Sequence, residues 1–252
     1  MKMQNLLEQL KELGCIGIKI SFEDEGALLN EIITMRNLSQ NVGIELFVKI
    51  GGCEAKRDIV DCINLSSDGI VSPMIESNFS LQKYFNSLEQ YKFSKQRGFN
   101  VETISGYENI NKMEMNKFDF ITLGRVDFVG SINKDRSFVN SEEMFEISVN
   151  IFSIAKKQDL KCCLGGGVSV ESKSFIEKLT NLKLLDKFET RYIIFDVSKI
   201  NFDKFDHILY LANLFELEWM KYVSNRYSLF AKKDKRRIEM IEERMNKNRK
   251  LE

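Results

Sequence analysis

The 252-residue chain contains a single proline, one histidine, one tryptophan and only fourteen glycines. So few turn formers exclude a many-stranded β-sandwich, which needs a turn signal about every ten residues. The five cysteines, Cys15, Cys53, Cys62, Cys162 and Cys163, are odd in number and form no CxxC pair. Neither a zinc ribbon nor a disulfide framework follows from them, and a reduced, cytoplasmic setting is expected. There is no excess of one charge: 37 Lys and Arg balance 37 Asp and Glu. No global field draws the chain to nucleic acid or an anionic membrane, so neither is expected as a partner. A continuous apolar run of about eighteen residues, as a spanning helix requires, is also missing. At the amino terminus Glu8 and Glu12 stand among Leu6, Leu7, Leu10 and Leu13, the pattern of an amphipathic helix and not of a signal peptide.

What is present is a 43% apolar, 29% charged composition, sufficient for one large domain. Short apolar or β-branched runs alternate with longer segments of helical period, the sequence form of repeated βα units. Seven strands are predicted, at 17–22, 44–50, 69–75, 99–102, 118–124, 161–165 and 192–197. Helices are predicted near 26–38, 53–65, 77–91, 105–115, 141–158 and 170–181. The first strand, GIKISF, is not followed by GxGxxG, which argues against a dinucleotide-binding sheet. Polar residues instead close many strands: Glu23, Lys49, Glu76, Glu102, Asp127 and Gly165 to Gly167. A (β/α)8 TIM barrel gathers such ends at one mouth. The expected architecture is therefore an α/β barrel over residues 1–200, with the eighth strand either weak and near the amino terminus or missing. A helical extension follows over 201–252. Its apolar stretch from Phe202 to Met220 predicts packing on the barrel or a homo-oligomer, and residues 232–250 read as a solvated helix with mixed charges.

Glu102 and Asp127 end adjacent strands and offer the hard oxygens that a divalent ion takes, unless each caps a helix or pairs with a lysine. Leu164 to Ser169, LGGGVS, makes either an anion pocket from Gly165, Gly166 and Gly167 or a tight turn capped by Ser169. Lys49, or Lys19, offers an amine for a Schiff base; the alternative is a salt bridge to Glu23, Glu54 or Glu76. The lone His207 lies in the apolar helix and reads as structural, as do Cys162 and Cys163. Glu189, Thr190 and Arg191 fall below the barrel or inside it, depending on where the last strand starts.

The segments FVKIGGCEAKRD, IVSPMIES, FNVET, ITLGRVDF and LGGGVS resemble, in order and spacing, the HpcH/HpaI aldolase and citrate lyase beta-subunit family of the phosphoenolpyruvate/pyruvate superfamily. The resemblance covers about residues 17–200. It implies that Glu102 and Asp127 hold Mg2+ (or Mn2+), and that backbone amides along Gly124, Arg125, Val126 and Asp127 grip a substrate carboxylate. Lys49 stands where the family has an arginine, which costs the planar fork that Arg125 or Arg57 would have to supply. The family's mouth histidine is absent, leaving Glu76, Glu23 or a neighbouring subunit's residue as base. The implied activity is carbon–carbon lyase or aldolase chemistry on a 2-oxo acid or acyl-CoA-like acid through a metal-stabilised enolate, with Lys49, Glu76 and Arg125 as catalytic residues. If Gly165 to Gly167 form the anion pocket, they would take a second acidic group or a CoA or nucleotide phosphate. The alternatives are a Schiff-base aldolase using Lys49 and a barrel that has lost catalysis and serves in binding or assembly.

Overall fold

The computed structural model describes residues 2–249. Eight strands close a barrel in sequence order: β1 (Cys15–Ser21), β2 (Glu45–Lys49), β3 (Gly69–Ser72), β4 (Gln96–Val101), β5 (Phe120–Gly124), β6 (Lys161–Gly165), β7 (Lys187–Glu189) and β8 (Ile193–Asp196). Helices α1 (Lys2–Glu12), α2 (Leu29–Val42), α3 (Lys56–Asn64), α4 (Asn78–Gln90), α5 (Ile104–Asn109), α6 (Arg125–Ser131), α7 (Glu142–Lys156), α8 (Lys173–Asn181) and α9 (Phe205–Arg249) surround it. The main core lies between strands and helices, as the continuous apolar runs require. β3 stops at Ser72, short of the expected Ile75, because Pro73 has no N–H to give the ladder.

The eighth strand is not near the amino terminus. It is β7, three residues long, whose Lys-Phe-Glu sequence carries no apolar run. Strands β1 to β7 run parallel, but β8 is antiparallel to both β7 and β1. No helix intervenes between the last two strands. The turn Thr190–Tyr192 joins them as a hairpin at the carboxyl ends of the parallel strands, with the Thr190 N–H donating to the Ile193 carbonyl at 2.9 Å.

That reversal also inverts the final helix. β8 ends beside Gly14, where the Asp196 N–H meets the Gly14 carbonyl at 3.1 Å. α9 starts at that lower end and climbs past α1, with Lys2 paired to Glu218 at 2.9 Å, until Asn213 and Glu216 reach the mouth. Phe205, Ile208, Ala212, Phe215 and Trp219 are buried against the chain's own barrel. This face of the helix packs internally, while Tyr210, Leu217 and Met220 of the same stretch are exposed. At 45 residues α9 is about 67 Å long, and residues 231–246 are exposed throughout. Among the described residues no helix is long and apolar enough to cross a membrane.

Alternate residues point into the barrel. Its lower interior is a small separate core of Phe47, Val71, Phe120 and Ile194, with the Phe47 and Phe120 rings edge to face at 5.6 Å. The buried Lys187 ammonium lies 5.1 and 4.8 Å from those two ring centroids. Above this plug the inward positions turn polar, so a dry floor supports a charged mouth.

Gly98 makes room for the Phe120 ring: a Cβ there would lie 2.1 Å from ring carbon Cζ. Gly98→Ala is therefore expected to cost about 1–3 kcal/mol of stability by overpacking. Adding Phe120→Leu should restore part of it. Urea unfolding of the three proteins checks this, and an unchanged midpoint for Gly98→Ala would refute the tight fit.

Candidate active site

A cavity of about 430 Å³ opens at the carboxyl ends of the strands. Glu102 follows β4 and is 2% exposed. The Met74 N–H donates to its Oε1 at 3.0 Å and the Asn100 Nδ2 to its Oε2 at 2.9 Å, so the carboxylate is fixed but keeps a lone pair on each oxygen. Burial pushes its pKa up, against the pull of Lys49 and the two hydrogen bonds. Gly124 must lack a side chain, since a Cβ would come within 2.6 Å of Glu102 Oε2.

Asp127 sits in the first turn of α6, exposed in the same cavity. Its pKa is also raised, by partial desolvation first and then by Asp24 and Glu23, with Lys49 and Lys19 opposing. Gly166, at φ +72°, lies over the start of this helix: a Cβ would meet the Arg125 and Val126 nitrogens at 2.5 and 2.6 Å. Any side chain at Gly166 would cover those amides.

The Lys49 ammonium, at the end of β2, pairs with Glu23 Oε2 at 2.9 Å. Burial lowers its pKa, but Glu102 and Glu23 outweigh that and hold it above the ordinary lysine value. Lys19 is ion-paired to Glu189, and there too burial is overcome by the carboxylate. An imine-forming lysine must shed its proton, and both lysines are held charged.

Glu189, the last residue of β7, points into the barrel at Lys19, and the hairpin turn that follows brings Thr190 and Arg191 to the mouth. Arg191 reaches Asp24 at 3.0 Å and Glu25 at 3.4 Å. A larger hollow of about 1260 Å³ lies at the opposite end of the barrel. It contains ion pairs such as Arg36–Asp68 at 2.6 Å and holds none of the acids above.

The barrel superposes on citrate synthase SbnG with a TM-score of 0.60 at 12% identity, spanning 85% of this chain and 89% of that one. An HpcH/HpaI aldolase from Desulfitobacterium hafniense DCB-2 matches with 0.56 at 9% identity, over 68% and 75%. A Haloferax volcanii malate synthase, in complex with magnesium and glyoxylate, matches with 0.54 at 10%, over 68% and 61%. This chain has the barrel fold of these proteins. No protein-family model matches the sequence, and no curated protein does. At such identities the likeness is one of fold, and function rests on the site itself.

Within that barrel the mouth collects Lys49, Glu102, Gly124, Val126, Asp127, Gly166 and Gly167, all expected there from sequence. Gly165 does not line it; its carbonyl instead accepts from Arg125 Nε at 3.2 Å. Arg125 is a correction. Its guanidinium is fully buried away from the cavity, donating also to the Val139 carbonyl and Asn140 Oδ1, each at 2.9 Å, and stacking 4.9 Å over Phe175. Burial drops its pKa to about 10. It braces the glycine turn and cannot reach a substrate. Glu76 is a second correction: it stands outside the cavity, accepting from Thr103 Oγ1 at 2.8 Å, while Thr103 caps α5. Arg57 is likewise absent from the lining, and His207 is exposed on α9 beside Tyr210. Cys162 and Cys163 are buried core thiols, the former pushed up to about 12 by burial.

The mouth residues that sequence reasoning missed include Asn100 beside Glu102, and Asp24, Glu25, Arg136, Asn213 and Glu216. Only the acidic run after β1, Glu23 to Glu25, left a local signal.

Arg125→Met takes the guanidinium from two buried carbonyls, Gly165 and Val139, and should cost about 2–4 kcal/mol. Arg191→Met, at a side chain 45% exposed, should cost less than about 1 kcal/mol. Chemical denaturation ranks the two, and equal losses would contradict the bracing role.

Proposed function

We propose that the chain is a divalent-metal-dependent carbon–carbon lyase or aldolase of 2-oxo acids. One observation carries this: Glu102 and Asp127 line the same cavity, in which six acidic side chains face four basic ones. Two uncompensated negative charges in a partly desolvated mouth call for a divalent cation. Among the described residues no group of three or more His, Cys, Asp or Glu side chains is placed to hold a metal ion. A two-carboxylate platform of this kind leaves positions for a bidentate oxygen substrate and for water. The fit is supported by the Asn100 Oδ1, a buried acceptor without a partner beside Glu102, which a water on the ion would satisfy. Mg2+ is the ion such hard oxygens prefer, and the malate synthase of this fold that carries magnesium and glyoxylate supports the choice.

When bound, the ion supplies Lewis-acid stabilisation of charge on the substrate's carbonyl oxygen. The chain's own residues do the rest. The amides of Arg125 and Val126, left uncovered by Gly166, donate to the substrate carboxylate. The Lys49 ammonium offsets the negative charge that grows as the carbon–carbon bond breaks or forms. Lys49 lacks an arginine's fork, and Arg136, exposed at the cavity edge, is the side chain placed to take a further acidic group.

Titration with Mn2+ by electron paramagnetic resonance, with and without oxalate as an enolate mimic, tests the reading. Wild type should bind the ion, and oxalate should tighten that binding. Glu102→Gln and Asp127→Asn should each weaken ion binding by tenfold or more. Wild-type affinity in both variants would sink the proposal.

A further inference from the structure

Beside the mouth lies a second cavity of about 330 Å³. Its apolar walls are Ile20, Ala27, Tyr192, Trp219, Met220 and Val223, drawn from β1, the β1–α2 loop, the hairpin and α9. Asp24, Glu25, Arg191 and Glu216 line both cavities and form the boundary between them. Glu25 is the exceptional member of that boundary. Its side chain is 9% exposed, one oxygen faces Arg191 Nε at 3.4 Å, and the other, Oε2, is buried with no hydrogen-bond partner. A buried carboxylate oxygen without a donor is costly to keep, and such a group marks a place where a proton is to be exchanged.

We propose that Glu25 is the proton-transferring residue of this site, and that the adjoining cavity receives the C3 substituent of the substrate, a 2-oxo acid with a branched aliphatic or aromatic side chain. The inference rests on the metal-dependent reading above and adds to it the missing base and the substrate class. In the forward step Glu25 Oε2 takes a proton from C3. The C3–H electron pair becomes the C2–C3 double bond, the carbonyl π pair moves onto the C2 oxygen, and Glu25 becomes a neutral acid. The reverse step returns the proton, or a deuteron from heavy water. Lys19 on β1, Asp24 beside it, Arg191 and Tyr192 in the hairpin and Glu216 on α9 are the charged or titratable groups around it. Burial is the main influence on the carboxyl and, with Asp24, outweighs Lys19 and Arg191, raising it to about 6. A base so tuned is ionised at neutral pH and still able to hold a proton.

The experiment is Mg2+-dependent exchange of C3 protons in D2O, followed by proton NMR for pyruvate, 4-methyl-2-oxopentanoate and phenylpyruvate, each rate divided by its uncatalysed rate. Binding of Mn2+ and oxalate is measured on the same proteins. Wild type should exchange the two bulky acids at least tenfold faster than pyruvate, with a rate that rises through pH 6. Glu25→Gln should lose at least a hundredfold while binding Mn2+ and oxalate as wild type does. Glu25→Asp, which keeps the charge and guards against a folding defect, should retain a slowed exchange. Ala27→Leu, filling the side cavity, should abolish the preference for bulky acids and spare pyruvate. Exchange in Glu25→Gln within threefold of wild type, or a wild type that binds oxalate yet prefers pyruvate or exchanges nothing, overturns the inference alone. Failure of wild type to bind Mn2+ and oxalate defeats the metal reading first, and this inference with it.

Discussion

The antiparallel return of β8 is the constraint from which the mouth takes its form. Had β7 been followed by a helix, its end would have opened into an ordinary βα loop, and β8 would have climbed beside it. Instead three residues turn the chain over the cavity, placing Glu189 against Lys19 and Arg191 against Asp24 and Glu25. The strand then descends, so the next helix must ascend. α9 consequently delivers Asn213 and Glu216 to the rim and Trp219 against Tyr192, with ring centroids 6.4 Å apart. Phe188, Phe195 and Phe205 hold the reversed hairpin to that helix, the first two stacked at 4.9 Å and the third 5.6 Å away. Packing on the outside thereby fixes charge on the inside.

Charges buried this close are tolerable only in pairs. Lys19 with Glu189 and Lys49 with Glu23 meet that condition, and each lysine is held in its charged form by its partner. Glu102 has no cation in direct contact. It is kept by two hydrogen bonds and by the nearby Lys49 charge, and its pKa rises all the same. Glu102 and Asp127 thus face one cavity without an ion-pair partner, and they are the two acids that a shared ion would neutralise.

The sequence made most of the scaffold legible because strands buried on both faces read as apolar runs, and seven of the eight do so. β7 does not. Its Lys187 and Glu189 point into the barrel, where Phe rings and Lys19 accept them, so residues that read as solvent-facing are buried at 6% exposure each. Missing that strand hid the hairpin, and with it the place of Arg191. Glu102 and Asp127 were legible because short motifs fix them to strand ends. Arg125 lies in the same motif, but spacing gives a residue's position along the chain and says nothing of where a long side chain goes. Here the acceptors Val139, Asn140 and Gly165 capture it.

Arg136, Asn213 and Glu216 were invisible for a different reason. Each reaches the cavity from a segment far away in sequence, and only closure of the barrel relates them. Glu25 is intermediate, since an acidic run after a first strand is readable, yet which of its three acids matters is not. The fold separates them by partner: Glu23 is taken by Lys49, Asp24 by Arg191 at 3.0 Å, and Glu25 meets the same arginine only at 3.4 Å with one oxygen left over. A single guanidinium cannot fully satisfy two carboxylates from the end of a three-residue turn. The acid that loses that competition is also the most buried of the three, which leaves Glu25 with a raised pKa and a free oxygen at the junction of the two cavities.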